Sequence, residues 1–150
     1  MQAAASENPG VTIHASHQLT TPKTDRPWVL CIDDDVEFSN GLKLKLQSRG
    51  YDVIRAFEGL DGYRFAFEFA PVVILLDLHL PQTNGEEVLS QLRFNPETSH
   101  IPVIVVTGLN EQGLEYRMRS LGARNVFHKP ISYTTLATAV DHYAAEQNEK

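Results

Sequence analysis

Cysteine is almost missing from this chain, with one residue, Cys31, in 150. A single thiol excludes an internal disulfide and any cysteine-rich zinc site, and its place in the apolar run WVLCI gives it the character of a small buried hydrophobe. Basic residues are also scarce, 13 Lys and Arg against 19 Asp and Glu, for a net charge of -6. A nucleic-acid surface would need clustered Lys and Arg to neutralise phosphates, and no basic stripe is present. The six histidines form no HExxH motif, which argues against a zinc enzyme. Apolar runs stop at about six residues, far short of a membrane span, and the N-terminus has no hydrophobic signal core. A cytoplasmic protein follows as the expectation, without nucleic acid and without membrane insertion.

What is present suits one soluble module: 42% hydrophobic and 21% charged residues. Residues 1–27 are rich in Ser, Thr, Ala and Pro with no sustained apolar period, and read as a disordered leader. From Trp28 the pattern changes, and a single domain is expected over 28–147, with 148–150 as a tail. WVLCI is a short buried strand; after it, Phe38, Leu42 and Leu46 recur at helical spacing until Gly50. YDVIRAF alternates as a strand and GLDGYRFAFEFA is a weaker helix. VVILLD is a third strand, and GEEVLSQLRF places Val88, Leu89 and Leu92 on one helical face. VIVVT follows Pro102, and EQGLEYRMRSLG carries Leu114, Met118 and Leu121 at helical spacing. ARNVFHKP then leads into a last helix, SYTTLATAVDHYAAEQ.

These are five β-α units. Three strands are nearly continuous apolar runs, as a parallel sheet covered on both faces requires. The fold class expected is therefore α/β, a doubly wound sandwich whose crevice lies outside the carboxyl ends of the strands. Those ends carry Asp33, Asp34 and Asp35, then Asp77, then Thr107-Gly108, then Lys129-Pro130. Two carboxylates ~4 Å apart repel by roughly 4 kcal/mol at an effective dielectric near 20, so crowded acids call for a cation. An oxygen-only set suits a hard divalent ion, most naturally Mg²⁺. A lysine can neutralise a phosphoryl oxygen and a threonine hydroxyl can bond another. Together they suit phosphoryl transfer, with Asp77 as candidate nucleophile forming an aspartyl phosphate. Each part also has a plain structural use: a triple Asp before a helix is often a cap. Their joint placement on four strand ends favours the chemical reading.

With these residues in place, the chain resembles a response-regulator receiver domain, the phospho-acceptor module of two-component signalling, over Trp28 to about Gln147. The resemblance implies a flavodoxin-like sheet of order 2-1-3-4-5. It implies phosphorylation at Asp77, metal binding by Asp33 and Asp34, a switch hydroxyl at Thr107 and a charge-neutralising lysine at Lys129, with a cis bond before Pro130. It further implies that the main-chain carbonyl of His79 ligates Mg²⁺ beside Asp77, and that LPQTNG, ending in Gly85, is the loop after the acceptor. The phosphoryl donor would be a phosphohistidine on a sensor histidine kinase or a histidine phosphotransfer protein. The chain would then be a self-phosphorylating switch with slow autodephosphorylation, not a turnover enzyme. One departure stands out: the family's switch aromatic falls three residues before the lysine, where this chain has Val126, with Phe127 next to it.

Two other classes compete. A haloacid-dehalogenase-type hydrolase needs D-x-D-x-T/V; DDDVE supplies Asp33 and Asp35 but has Glu37 where Thr or Val belongs. A pseudo-receiver binding proteins without phosphorylation usually lacks one of the acids or the lysine, and all are present here. With no output domain visible, the expectation is a stand-alone receiver acting through a downstream protein or in a phosphorelay.

Overall fold

The computed structural model describes residues 25–148, so the expectations for most of the leader and for the last two residues lie outside the described residues. Five strands alternate with five helices: β1 Trp28–Ile32, α1 Val36–Ser48, β2 Asp52–Ala56, α2 Gly59–Phe69, β3 Val73–Leu76, α3 Gly85–Phe94, β4 Val103–Thr107, α4 Leu114–Ser120, β5 Asn125–His128 and α5 Tyr133–Asn148. All strand pairs are parallel, in the order β2-β1-β3-β4-β5. This is the doubly wound arrangement that the strand patterns implied, in the flavodoxin-like order that the family resemblance implied.

Alternation along each strand builds two cores. Leu30, Ile32, Ile74, Leu76, Val105 and Val126 point to one face and meet α2, α3 and α4. Cys31, Val53, Leu75, Ile104 and Val106 point to the other and meet α1 and α5. Because both faces are covered, the central strands can be apolar at every position. The same cover reaches the edge strand β2. Its alternation in sequence is not an inside-outside pattern: Asp52, Val53, Ile54 and Ala56 are all buried. The Asp52 carboxylate lies 3.7 Å from the Arg26 guanidinium. Arg26 also donates to the carbonyls of Gln47 and Gly50 at the end of α1, where backbone acceptors are left over.

α4 is shorter than the stretch 111–122 that its apolar spacing suggested. Gly113 adopts φ 80° as the N-cap, after a turn in which Leu114 N–H bonds the Glu111 carbonyl. Gly122, at φ 106°, ends the element. Among the described residues no helix is long and apolar enough to cross a membrane.

Candidate functional site

Register delivers the acids to one rim. Ile32 pairs with Leu76 and with Ala56, so the residues that follow β1 and β3 emerge side by side. The ladder continues one step beyond the strands: Asp33 N–H bonds the Ala56 carbonyl and Asp77 N–H bonds the Ile32 carbonyl, both at 2.9 Å. Backbone thus fixes both carboxylates, Asp33 at 2% exposure and Asp77 at 6%. Asp34 is exposed next to them, and carboxylate oxygens of Asp33, Asp34 and Asp77 all lie within 4.8 Å of one another.

One cation answers them. Lys129, the residue after β5, places Nζ 2.8 Å from Asp33 Oδ2 and 3.4 Å from Asp77 Oδ2. Its Nζ also lies 4.3 Å from the centre of the Phe38 ring, and Phe38 rests on Tyr133 with ring centroids 5.7 Å apart. The aromatic floor holds the ammonium where a charge is wanted. Phe38 looks in sequence like one more apolar position of α1; its partner across the site is 91 positions along the chain, and local pattern carries no trace of that contact.

The electrostatics follow from this geometry. Burial raises the Asp33 carboxyl to about 6, against hydrogen bonds from Lys129 and the Asp35 N–H that favour its charged form, while Asp77 adds to the rise. Burial alone would lower Lys129; hydrogen bonds and charge from Asp33 and Asp77 outweigh it and raise it. Three carboxylates against one ammonium leave the cluster short of positive charge. An all-oxygen donor set, part buried and part open, fits a hard divalent cation such as Mg²⁺, which keeps several waters.

The acidic triplet divides its labour. Asp35 is the N-cap of α1, its Oδ1 accepting from Phe38 N–H at 3.1 Å, and its own N–H donates to Asp33 Oδ1 at 2.9 Å. Helix capping and the acid cluster therefore fall on different residues. Only Asp33 and Asp34 join the cluster with Asp77.

The remaining candidates sit around this centre. His79 is exposed, and its main-chain N–H donates to Asp77 Oδ1 at 3.2 Å. Gly85 starts α3 against the segment that leaves β3: a Cβ there would come 2.6 Å from Leu78 Cα, so only glycine lets the loop close over Asp77. Thr107 is fully buried, its Oγ1 accepting from Leu109 N–H at 3.1 Å. It makes no side-chain bond to the acids, but its carbonyl accepts from Lys129 N–H at 2.9 Å. The Lys129–Pro130 peptide is cis. Val126 packs in the α4-side core, whereas Phe127 lies against the core under α1 and α5. The adjacent aromatic therefore belongs to the opposite layer and does not replace a ring at 126.

A parallel sheet of this order with acids and a lysine on its carboxyl rim defines a receiver-type α/β module. The chain belongs to the response regulator receiver domain family, whose model matches residues 29–141. It is similar to the polar-differentiation response regulator DivK of Brucella anthropi, 36% identical over 112 residues, covering 71% of this chain and 91% of that protein. It is also similar to the DNA-binding dual master transcriptional regulator RpaA of Synechocystis, 33% identical over 114 residues. That match covers 76% of this chain but only 47% of RpaA, so the chain spans about half of that relative's length. Among solved structures, the Mn²⁺-bound form of response regulator Rcp1 superposes with a TM-score of 0.67 at 25% identity, over 77% of this chain and 90% of Rcp1. The protein is thus a receiver domain of two-component signalling, a class of signalling switches.

Proposed function

We propose that this receiver takes a phosphoryl group from a phosphohistidine onto Asp77 and changes its protein contacts in response. The observation that carries the reading is Lys129 bridging Asp33 and Asp77 at 2.8 and 3.4 Å on a rim with a third carboxylate. An Asp77 carboxylate oxygen attacks phosphorus, the phosphorus–nitrogen bond breaks, and the histidine nitrogen leaves with the electron pair. Lys129 carries three N–H donors, of which two face Asp33 and Asp77, so one is free for a phosphoryl oxygen. The Thr107 oxygen is occupied as an acceptor by Leu109 N–H, which leaves its own proton to donate to another phosphoryl oxygen. His79 N–H on Asp77 Oδ1 orients the carboxylate.

Asp33, Asp34, Asp77 and the His79 carbonyl would hold Mg²⁺, which when bound supplies neutralisation for the charge gathered on the phosphoryl oxygens. A Mn²⁺-bound relative of the same fold supports this assignment. The donor is a sensor histidine kinase or a histidine phosphotransfer protein, and the output is a downstream protein target. The match to the response regulator DivK over 91% of its length supports this reading, and a cytoplasmic location agrees with these partners.

Intact mass after incubation with acetyl phosphate and Mg²⁺ tests the reading. We expect one added phosphoryl group, lost with Asp77→Asn and lost with EDTA. No adduct from acetyl phosphate or from a kinase would point instead to a pseudo-receiver, a protein-binding module independent of phosphorylation.

A further inference from the structure

The turn leaving β4 is held from two sides. Leu109 N–H donates to Thr107 Oγ1 at 3.1 Å, and the Leu109 carbonyl lies 3.1 Å from His128 Nδ1. A carbonyl only accepts, so Nδ1 carries the proton in this contact. His128 is the last residue of β5, paired across the sheet with Thr107 and directly preceding Lys129. Its other ring nitrogen, Nε2, stands 3.7 Å from Glu115 Oε2 in the first turn of α4. One imidazole therefore bonds the turn that carries the Thr107 partner and faces the helix that follows it.

Strand alternation explains why His128 reaches there. Positions 126 and 128 share the face toward α4, and Phe127 lies on the other. Val126 is a small, buried aliphatic residue with no polar atom to offer the turn. The polar ring on this face of β5 is two residues later.

We propose that His128 is a positioning residue that couples Thr107 to α4, through the Leu109 carbonyl in the turn that leads into that helix. The coupling rests on the Asp77 reading. When the Thr107 hydroxyl reorients toward a phosphoryl group on Asp77, Leu109 N–H follows its acceptor. The carbonyl of the same residue is pinned to His128, so the displacement passes into the turn and on to α4. Without the imidazole the turn absorbs the movement locally, and α4 stays where it was.

Backbone amide spectra with and without acetyl phosphate and Mg²⁺, on protein whose phosphorylation is checked by intact mass, test this. The His128 side chain is 39% exposed, so truncation opens no core cavity. In wild type we expect phosphorylation-dependent shifts at Leu109 and through 114–120. His128→Ala should carry the same mass adduct yet lose at least half of the shift over 114–120. His128→Asn, which keeps a donor near the Nδ1 position, should restore most of it. An adduct on His128→Ala with wild-type α4 shifts would overturn the coupling and leave the Asp77 reading standing. No adduct on wild type itself would overturn the Asp77 reading, and the coupling with it.

Discussion

Replacing Lys129 by Met should destabilise the metal-free protein, by an amount that grows with pH. The ammonium is 2.8 Å from Asp33 and 3.4 Å from Asp77, on a side chain only 18% exposed. At an effective dielectric near 20 each contact is worth roughly 5 to 6 kcal/mol of gross attraction. Most of that offsets the desolvation of the lysine, and breaking a buried pair costs about 3–5 kcal/mol net. Methionine keeps a stem of similar length over Phe38, so packing changes little. Asp33 has an escape, because its carboxyl already sits at about 6 and rises further once the lysine bond is gone. Taking up a proton one pH unit above the pKa costs about 1.4 kcal/mol. We therefore expect a loss of about 2 kcal/mol at pH 7, below the usual range for a broken buried pair. Near pH 5 Asp33 is protonated in both proteins and the loss shrinks to about 1 kcal/mol; at pH 8 it approaches 3 kcal/mol. Urea denaturation in EDTA at these three pH values measures it. A loss that is flat, or that falls from pH 5 to pH 8, would refute the electrostatic account. In wild type the raised Asp33 means the folded state holds more protons than the unfolded one between about 4 and about 6. Metal-free stability should accordingly fall as pH rises through that window.

Asp35→Ala should cost about 1 kcal/mol through the lost cap while leaving the Mg²⁺-induced rise in Tm intact; an equal loss of the metal response would contradict the division of the triplet. Cys31 is wholly buried, and burial holds its thiol well above the usual cysteine range. A disulfide reagent at pH 8 should react with it only at the rate of unfolding. Because the unfolded thiol ionises near 9.0 and the folded one does not, stability should decline above about pH 9, and Cys31→Ala should flatten that decline.

Much of this molecule is legible in the sequence because a doubly wound sheet leaves strong local marks. WVLCI, VIVVT and GEEVLSQLRF coincide with β1, β4 and α3, since continuous apolar runs and period-3.6 faces follow from two-sided cover. The rim residues are readable for the same reason: the residue at or just past the end of each strand is the one that reaches the crevice. What was not legible depends on who meets whom. β2 reads in sequence as an alternating strand, yet it is almost wholly buried, because no local pattern shows that α1 and α2 both close over an edge strand. α4 looked longer because Gly113 and its turn interrupt a spacing that the apolar residues alone would continue. Phe38 beneath Lys129, and His128 against the Leu109 carbonyl, are contacts between distant segments, and nothing local to either residue announces them.

The parallel sheet has a consequence for how this switch comes into being during synthesis. The grip of Lys129 on Asp33 spans 96 positions, and on Asp77 it spans 52. The acids leave the ribosome early, and the lysine that makes them tolerable arrives with the last strand. A nascent chain that has made β1 to β3 and the residue after them holds Asp77 but neither Thr107 nor Lys129, and α5, which seals one core, is later still. The rim is thus completed all at once, in time as well as in space: on the proposed reading, a copy that stops before β5 carries Asp77 without the lysine that answers its charge.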